Sequence, residues 1–109
     1  LNRLAQVAKL LIQGREVIVI NVHLEAFDRD TREQHTDAVL QLYQRYSERY
    51  PTMMVGDFNS SPDEADPTIS RILRENLGTL ELVAGRVVTE AGQISDHLPV
   101  WAVFRFTRR

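Results

Sequence analysis

Val17-Ile18-Val19-Ile20-Asn21-Val22-His23-Leu24-Glu25 decides how the rest of the chain is read. Five of its first six residues are β-branched, a composition that favours an extended strand buried on both faces. The strand then runs into an imidazole and a carboxylate. Upstream, Val7–Ile12 is also apolar-rich, and Gln13-Gly14-Arg15-Glu16 separates the two segments. Glycine supplies turn chemistry there, so the pair reads as a β-hairpin, although Leu4–Leu11 also fits a short helix.

Downstream, Thr31 and Gln34 have the spacing of a capping box, which starts a helix. His35, Val39, Leu42 and Tyr46 follow at helical spacing, with Leu40 and Tyr43 widening the apolar face. Pro51 marks its end. Thr52–Val55 is a short buried strand that delivers Gly56-Asp57-Phe58-Asn59, and residues 60–67 form a polar loop. A second helix is expected over Thr68–Asn76, with Gly78 as its left-handed cap. Leu80–Val88 reads as a strand broken at Ala84-Gly85. Pro99–Phe106 is the last strand, with Val100, Ala102, Phe104 and Phe106 on one face. The order is β-β-α-β-α-β-β, an α/β chain.

Composition bounds the function. The chain has 109 residues, 43% hydrophobic and 26% charged, which suits one globular domain. No apolar run approaches the roughly 20 residues of a membrane-spanning helix, and no secretory leader is visible. Cysteine is absent, which removes disulfides, thiolate metal sites and cysteine nucleophiles, and leans towards a reducing cytoplasm. A net charge of -2 argues against a dedicated nucleic-acid coating module but not against an enzyme that meets nucleic acid at a cleft. The chain opens at Leu1, so preceding residues are expected.

Three segments share one design, an apolar strand bordered by acid, amide or imidazole groups. They are Asn21-Val22-His23-Leu24-Glu25, Gly56-Asp57-Phe58-Asn59 and Ser95-Asp96-His97-Leu98-Pro99-Val100. If the last strand runs antiparallel to the others, all three motifs meet at one edge. Phosphoester hydrolysis needs charge neutralisation, an activated water and help for the leaving oxygen. Asp57 can orient or deprotonate a water, and Asn59 can hold that water or a phosphate oxygen. His23 and His97 can donate to non-bridging oxygens, while Asp96 can fix the His97 tautomer or join a hard-cation site. Oxygen ligands suit magnesium, with manganese as its substitute.

Each segment alone has a plainer reading. A histidine at a strand end is usually a structural hydrogen-bonder, and Asp-x-Asn after a strand is often an Asx turn. Glu25 is either a substrate contact or a solvated loop acid. His35, Trp101, Tyr43 and Tyr46 read as structural, the last three as core, and Arg108 and Arg109 as a solvated tail. The weight lies in the three segments together and in this order.

Those segments resemble the three C-terminal signature motifs of the endonuclease–exonuclease–phosphatase superfamily, over about Arg15 to Phe106. The resemblance implies half of a four-layer α/β sandwich of the deoxyribonuclease I-like type, mostly antiparallel sheet with flanking helices. It also implies a magnesium-dependent hydrolase whose His23 contacts the scissile phosphate, whose Asp57 and Asn59 position the nucleophile, and whose Asp96 pairs with His97. Glu25 and Asn59 are candidate substrate contacts and Asp96 a candidate metal ligand. The substrate is a phosphoester, whether nucleic acid, lipid or small molecule.

The sequence departs from that pattern in two places. The family's amino-terminal half, with its early Asn and metal-binding Glu, has no counterpart here. Between Gly78 and Leu80 the family's longer loop and its further strand with an active-site Asp are also missing. A half-sandwich would leave one sheet face bare, so pairing with a complementary half or with a second copy is expected. A well-folded monomer in sedimentation would count against that. The other reading is a non-catalytic scaffold that uses the fold's edge for association.

Overall fold

The structure, a computed structural model, describes residues 5–60, 80–92 and 95–107. It is mixed α+β. The chain divides into two compact units, Leu1–Gly78 and Thr79–Arg109, and each is described by itself. The helix expected over Thr68–Asn76, its Gly78 cap, the 61–67 loop and the Arg108–Arg109 tail lie outside the described residues.

In the first unit, strands β1 (Ala5–Ile12) and β2 (Arg15–His23) form the expected antiparallel hairpin. Ile12 pairs with Arg15, which leaves Gln13 and Gly14 as a two-residue turn. Both have positive φ, 52° and 77°, the backbone that matches the twist of the flanking strands. The alternative of a short helix at Leu4–Leu11 is thereby set aside.

Helix α1 (Arg29–Ser47) carries the chain across to β3 (Thr52–Asp57), which pairs parallel with β2. A parallel neighbour needs such a crossover, and the sheet order is β1-β2-β3. The helix starts earlier than the Thr31–Gln34 spacing implies. Asp28 is the N-cap, and its Oδ1 accepts from the Asp30 amide at 3.2 Å. Thr31 donates its hydroxyl to Asp28 Oδ2 at 2.6 Å. A carboxylate accepts two such bonds where a hydroxyl cap accepts through one atom, so Asp28 wins the position and Thr31 serves it. The helix ends at Ser47, and Pro51 instead gives its carbonyl to the Ile18 amide at 2.9 Å.

Alternate residues of β2 build the core. Ile18, Ile20, Val22 and Leu24 are buried with Val39 and Tyr43 of α1, and Leu42, Tyr46, Tyr50, Met54 and Phe58 pack at its margin. Burial of the Tyr43 hydroxyl pushes its pKa up. The opposite face of β2 is graded rather than closed. Val17 is buried, Val19 half-buried, and Asn21 and His23 exposed. The β-branched run is thus covered on one face throughout and on the other only at its start.

The second unit is a hairpin of β4 (Leu80–Val87) and β5 (Val100–Phe106), joined through a 3-10 turn at Thr89–Ala91. The expected break at Ala84-Gly85 is a register shift between Leu82 and Ala84, so the strand bulges and continues. Trp101 is exposed, which corrects its assignment to a core. Two strands alone have two accessible faces and no interior. Val83, Val87, Val100, Val103 and Phe104 are exposed with it. Among the described residues no helix is long and apolar enough to cross a membrane.

Candidate active site

Parallel pairing of β2 with β3 brings two strand ends together. His23 and Asp57 are register partners, the last residues of their strands. His23 Nε2 lies 3.8 Å from Asp57 Oδ2, within ion-pair range for a protonated imidazole but too long for a hydrogen bond. The His23 side chain is mostly exposed and that of Asp57 about one-third exposed, so the pair faces solvent across the edge of a rigid sheet.

Close packing sets that spacing. Gly56 has φ +134°, and a Cβ on it would fall 2.0 Å from the Val22 carbonyl oxygen. Only glycine lets β3 approach β2 so tightly beside Asp57. Beyond the pairing, the Leu24 amide donates to the Asp57 carbonyl at 3.0 Å. Phe58 packs against the core and anchors the turn. Asn59 then turns back with φ 47°. Its amide N–H donates to Asp57 Oδ1 at 3.0 Å, an Asx turn, and its Nδ2 donates to the Leu24 carbonyl at 2.8 Å. The plainer reading of Asp-x-Asn therefore holds as geometry, and it does more than cap a turn. Asn59 ties the end of β3 to the end of β2 and fixes the orientation of the Asp57 carboxylate.

Glu25 follows on a loop joining β2 to α1. Its Oε1 accepts from the Phe27 amide at 3.4 Å. Arg32, buried in the first turns of α1, donates through Nη1 to the carbonyls of Glu25 and Ala26 at 3.2 and 3.3 Å. Sequence reading passed over Arg32 because an arginine on a helix usually faces water; here one guanidinium nitrogen is shared between two successive loop carbonyls. It also passed over Phe27, whose side chain is 96% exposed. Leaving a phenyl in water forgoes roughly 1.5–3 kcal/mol of burial. An isolated aromatic between acidic residues gives no periodic signal by which to single it out. His35 sits half-buried on α1.

In the second unit, Asp96 and His97 precede β5. His97 Nε2 is 3.9 Å from Asp96 Oδ1, and both side chains are well exposed. Ser95 Oγ accepts from the His97 amide at 3.1 Å and donates to Asp96 Oδ1 at 3.4 Å. The turn therefore presents a carboxylate and an imidazole side by side on an open surface.

Magnesium draws on one or two carboxylates with water and substrate oxygens. Among the described residues no three His, Asp or Glu side chains gather into a group able to hold a metal. Asp57 has one oxygen engaged by Asn59, and Asp96 is a single exposed carboxylate. No family model, curated protein or solved structure matches the chain.

Proposed function

We propose that the chain is the C-terminal half of a phosphoester hydrolase of the endonuclease–exonuclease–phosphatase type, one half of a four-layer α/β sandwich. The observation that carries the reading is the His23–Asp57 pair, 3.8 Å apart on the ends of two parallel strands and braced by Asn59. Strand register sets an imidazole and a carboxylate 3.8 Å apart at one sheet edge, both reached by solvent, an arrangement that suits a phosphate and its attacking water. A water oriented by Asp57 can attack phosphorus and pass a proton to the Asp57 carboxylate while His23 donates to a non-bridging oxygen, and the bond to the leaving oxygen breaks as the new P–O bond forms, the leaving oxygen taking a proton from solvent. Asn59 acts by positioning Asp57, and Asp96 with His97 supply the second acid–imidazole pair of the motif set.

Magnesium, or manganese in its place, is part of this reading, with Asp96 as the candidate ligand. A division of the chain at Gly78 coincides with the point where this chain lacks the loop and strand of the superfamily pattern. The scaffold reading draws on a different observation, the exposed apolar residues Val7, Leu10 and Leu11 of β1, which suit association with a complementary half or a second copy.

One assay separates the two. Hydrolysis of bis(p-nitrophenyl) phosphate by the chain is followed with magnesium, with chelator, and in Asp57→Ala. Metal-dependent turnover that falls at least about a hundredfold in Asp57→Ala is expected for the enzyme. Turnover equal to that of Asp57→Ala under all conditions would leave the scaffold.

A further inference from the structure

The β2–α1 loop is tied down by several hydrogen bonds, yet it turns a large apolar ring outward. Arg32 clamps the carbonyls of Glu25 and Ala26, the Glu25 carboxylate accepts from the Phe27 amide, and Asp28 caps the helix that follows. Between these restraints Phe27 is 96% exposed. The ordering cost of presenting the ring is met before any ligand arrives, which is the property of a preorganised contact. Phe27 lies four residues beyond His23, so the chain between them spans at most about 14 Å. Phe27 therefore sits on the loop that leaves the same strand end as the His23–Asp57 pair.

We infer that Phe27 is a specificity residue that stacks on an aromatic ring, aryl or nucleobase, carried by the phosphoester substrate. This rests on the phosphoester reading of the His23–Asp57 edge. A single ring offers one flat face, which suits stacking on another flat ring. Insertion into a lipid surface calls for several apolar side chains with basic neighbours. Phe27 instead has Glu25, Asp28 and Asp30 close in sequence, with Arg29 and Arg32 the only cations of that stretch, and Arg32 is buried.

The test is binding of phenylphosphonate and methylphosphonate to the full chain, with and without magnesium, followed by the NMR signals of the Phe27 ring and amide. Phenylphosphonate is expected to bind on the order of tenfold more tightly, a stacking effect. Phe27→Ala should abolish that preference and Phe27→Tyr should keep it, and neither change touches the core. Equal binding of the two ligands, or a preference that survives Phe27→Ala, overturns the assignment while leaving the phosphate site standing. Failure of both to bind overturns the assignment together with the phosphoester reading. Phe27-dependent binding to phosphatidylglycerol vesicles without a phenylphosphonate preference also overturns it, in favour of a membrane contact.

Discussion

The first unit and the β4–β5 hairpin are built from similar apolar strands, and they end differently. Ile18, Ile20 and Val22 of β2 are buried, whereas Val100, Val103 and Phe104 of β5 are exposed. β-Branched content does not separate them; a crossover does. Helix α1 returns the chain to the same sheet and lays Val39 and Tyr43 over β2, while the described residues of the second unit are two strands and a 3-10 turn, with no such helix among them. Strand composition thus records how much cover a strand can use, and connectivity decides how much it receives.

Gly56→Ala is the severest way to break the contrast. Its new Cβ would fall on the Val22 carbonyl, and β2 and β3 would have to part. A loss of about 4 kcal/mol or more is expected in chemical denaturation, and a near-neutral result would mean that the strands are not packed as described. Next in size, Ile20→Ala is expected to cost about 2–5 kcal/mol as a buried large-to-small change. Its counterpart Val103→Ala, at an exposed site, should stay within about 0.5 kcal/mol. If the two cost the same, the hairpin is covered in solution and the contrast between the units dissolves.

The smallest effect is electrostatic, and both units carry an example. A hydrogen bond from the Thr31 hydroxyl, with the Asp30 and Thr31 amides behind it, holds Asp28 below its usual 3.8. In the hairpin, the Arg105 guanidinium bonded to Glu81 holds that carboxyl below its usual 4.5. A carboxyl depressed in the folded state contributes above its unfolded value, and the contribution fades as pH falls through the folded value. The helical signal should therefore weaken below about pH 4, less so in Asp28→Asn, which keeps an acceptor at the cap. Glu81→Gln should leave that signal unchanged, and circular dichroism between acid and neutral pH reads both.

Much of the first unit was legible because its signals are local. Gly14 marked a turn, the spacing of Val39 with Tyr43 marked a helix face, and the apolar runs ended at His23 and Asp57. The cap was misplaced by three residues, since Thr31 and Asp28 are both good caps and only the backbone path chooses between them. The link from Asn59 to Leu24 spans 35 residues and depends on strand register, which no short window contains. Trp101 went astray for a related reason: an aromatic in a strand says that burial would be favourable, not that a covering layer exists. Asp96 and His97 were legible as a motif, and the turn does set them side by side.

Parallel pairing of β2 with β3 also has a temporal consequence. The β1–β2 hairpin closes over two residues and can form within microseconds, whereas β3 cannot find β2 until α1 has folded back. The long return makes His23 and Asp57 late neighbours, joined only after most of the unit's chain entropy has been surrendered. The Leu24 amide, donating to the Asp57 carbonyl, should gain protection from solvent exchange after the hairpin amides do. The His23–Asp57 spacing at this edge would then be the last thing the first unit completes as it folds.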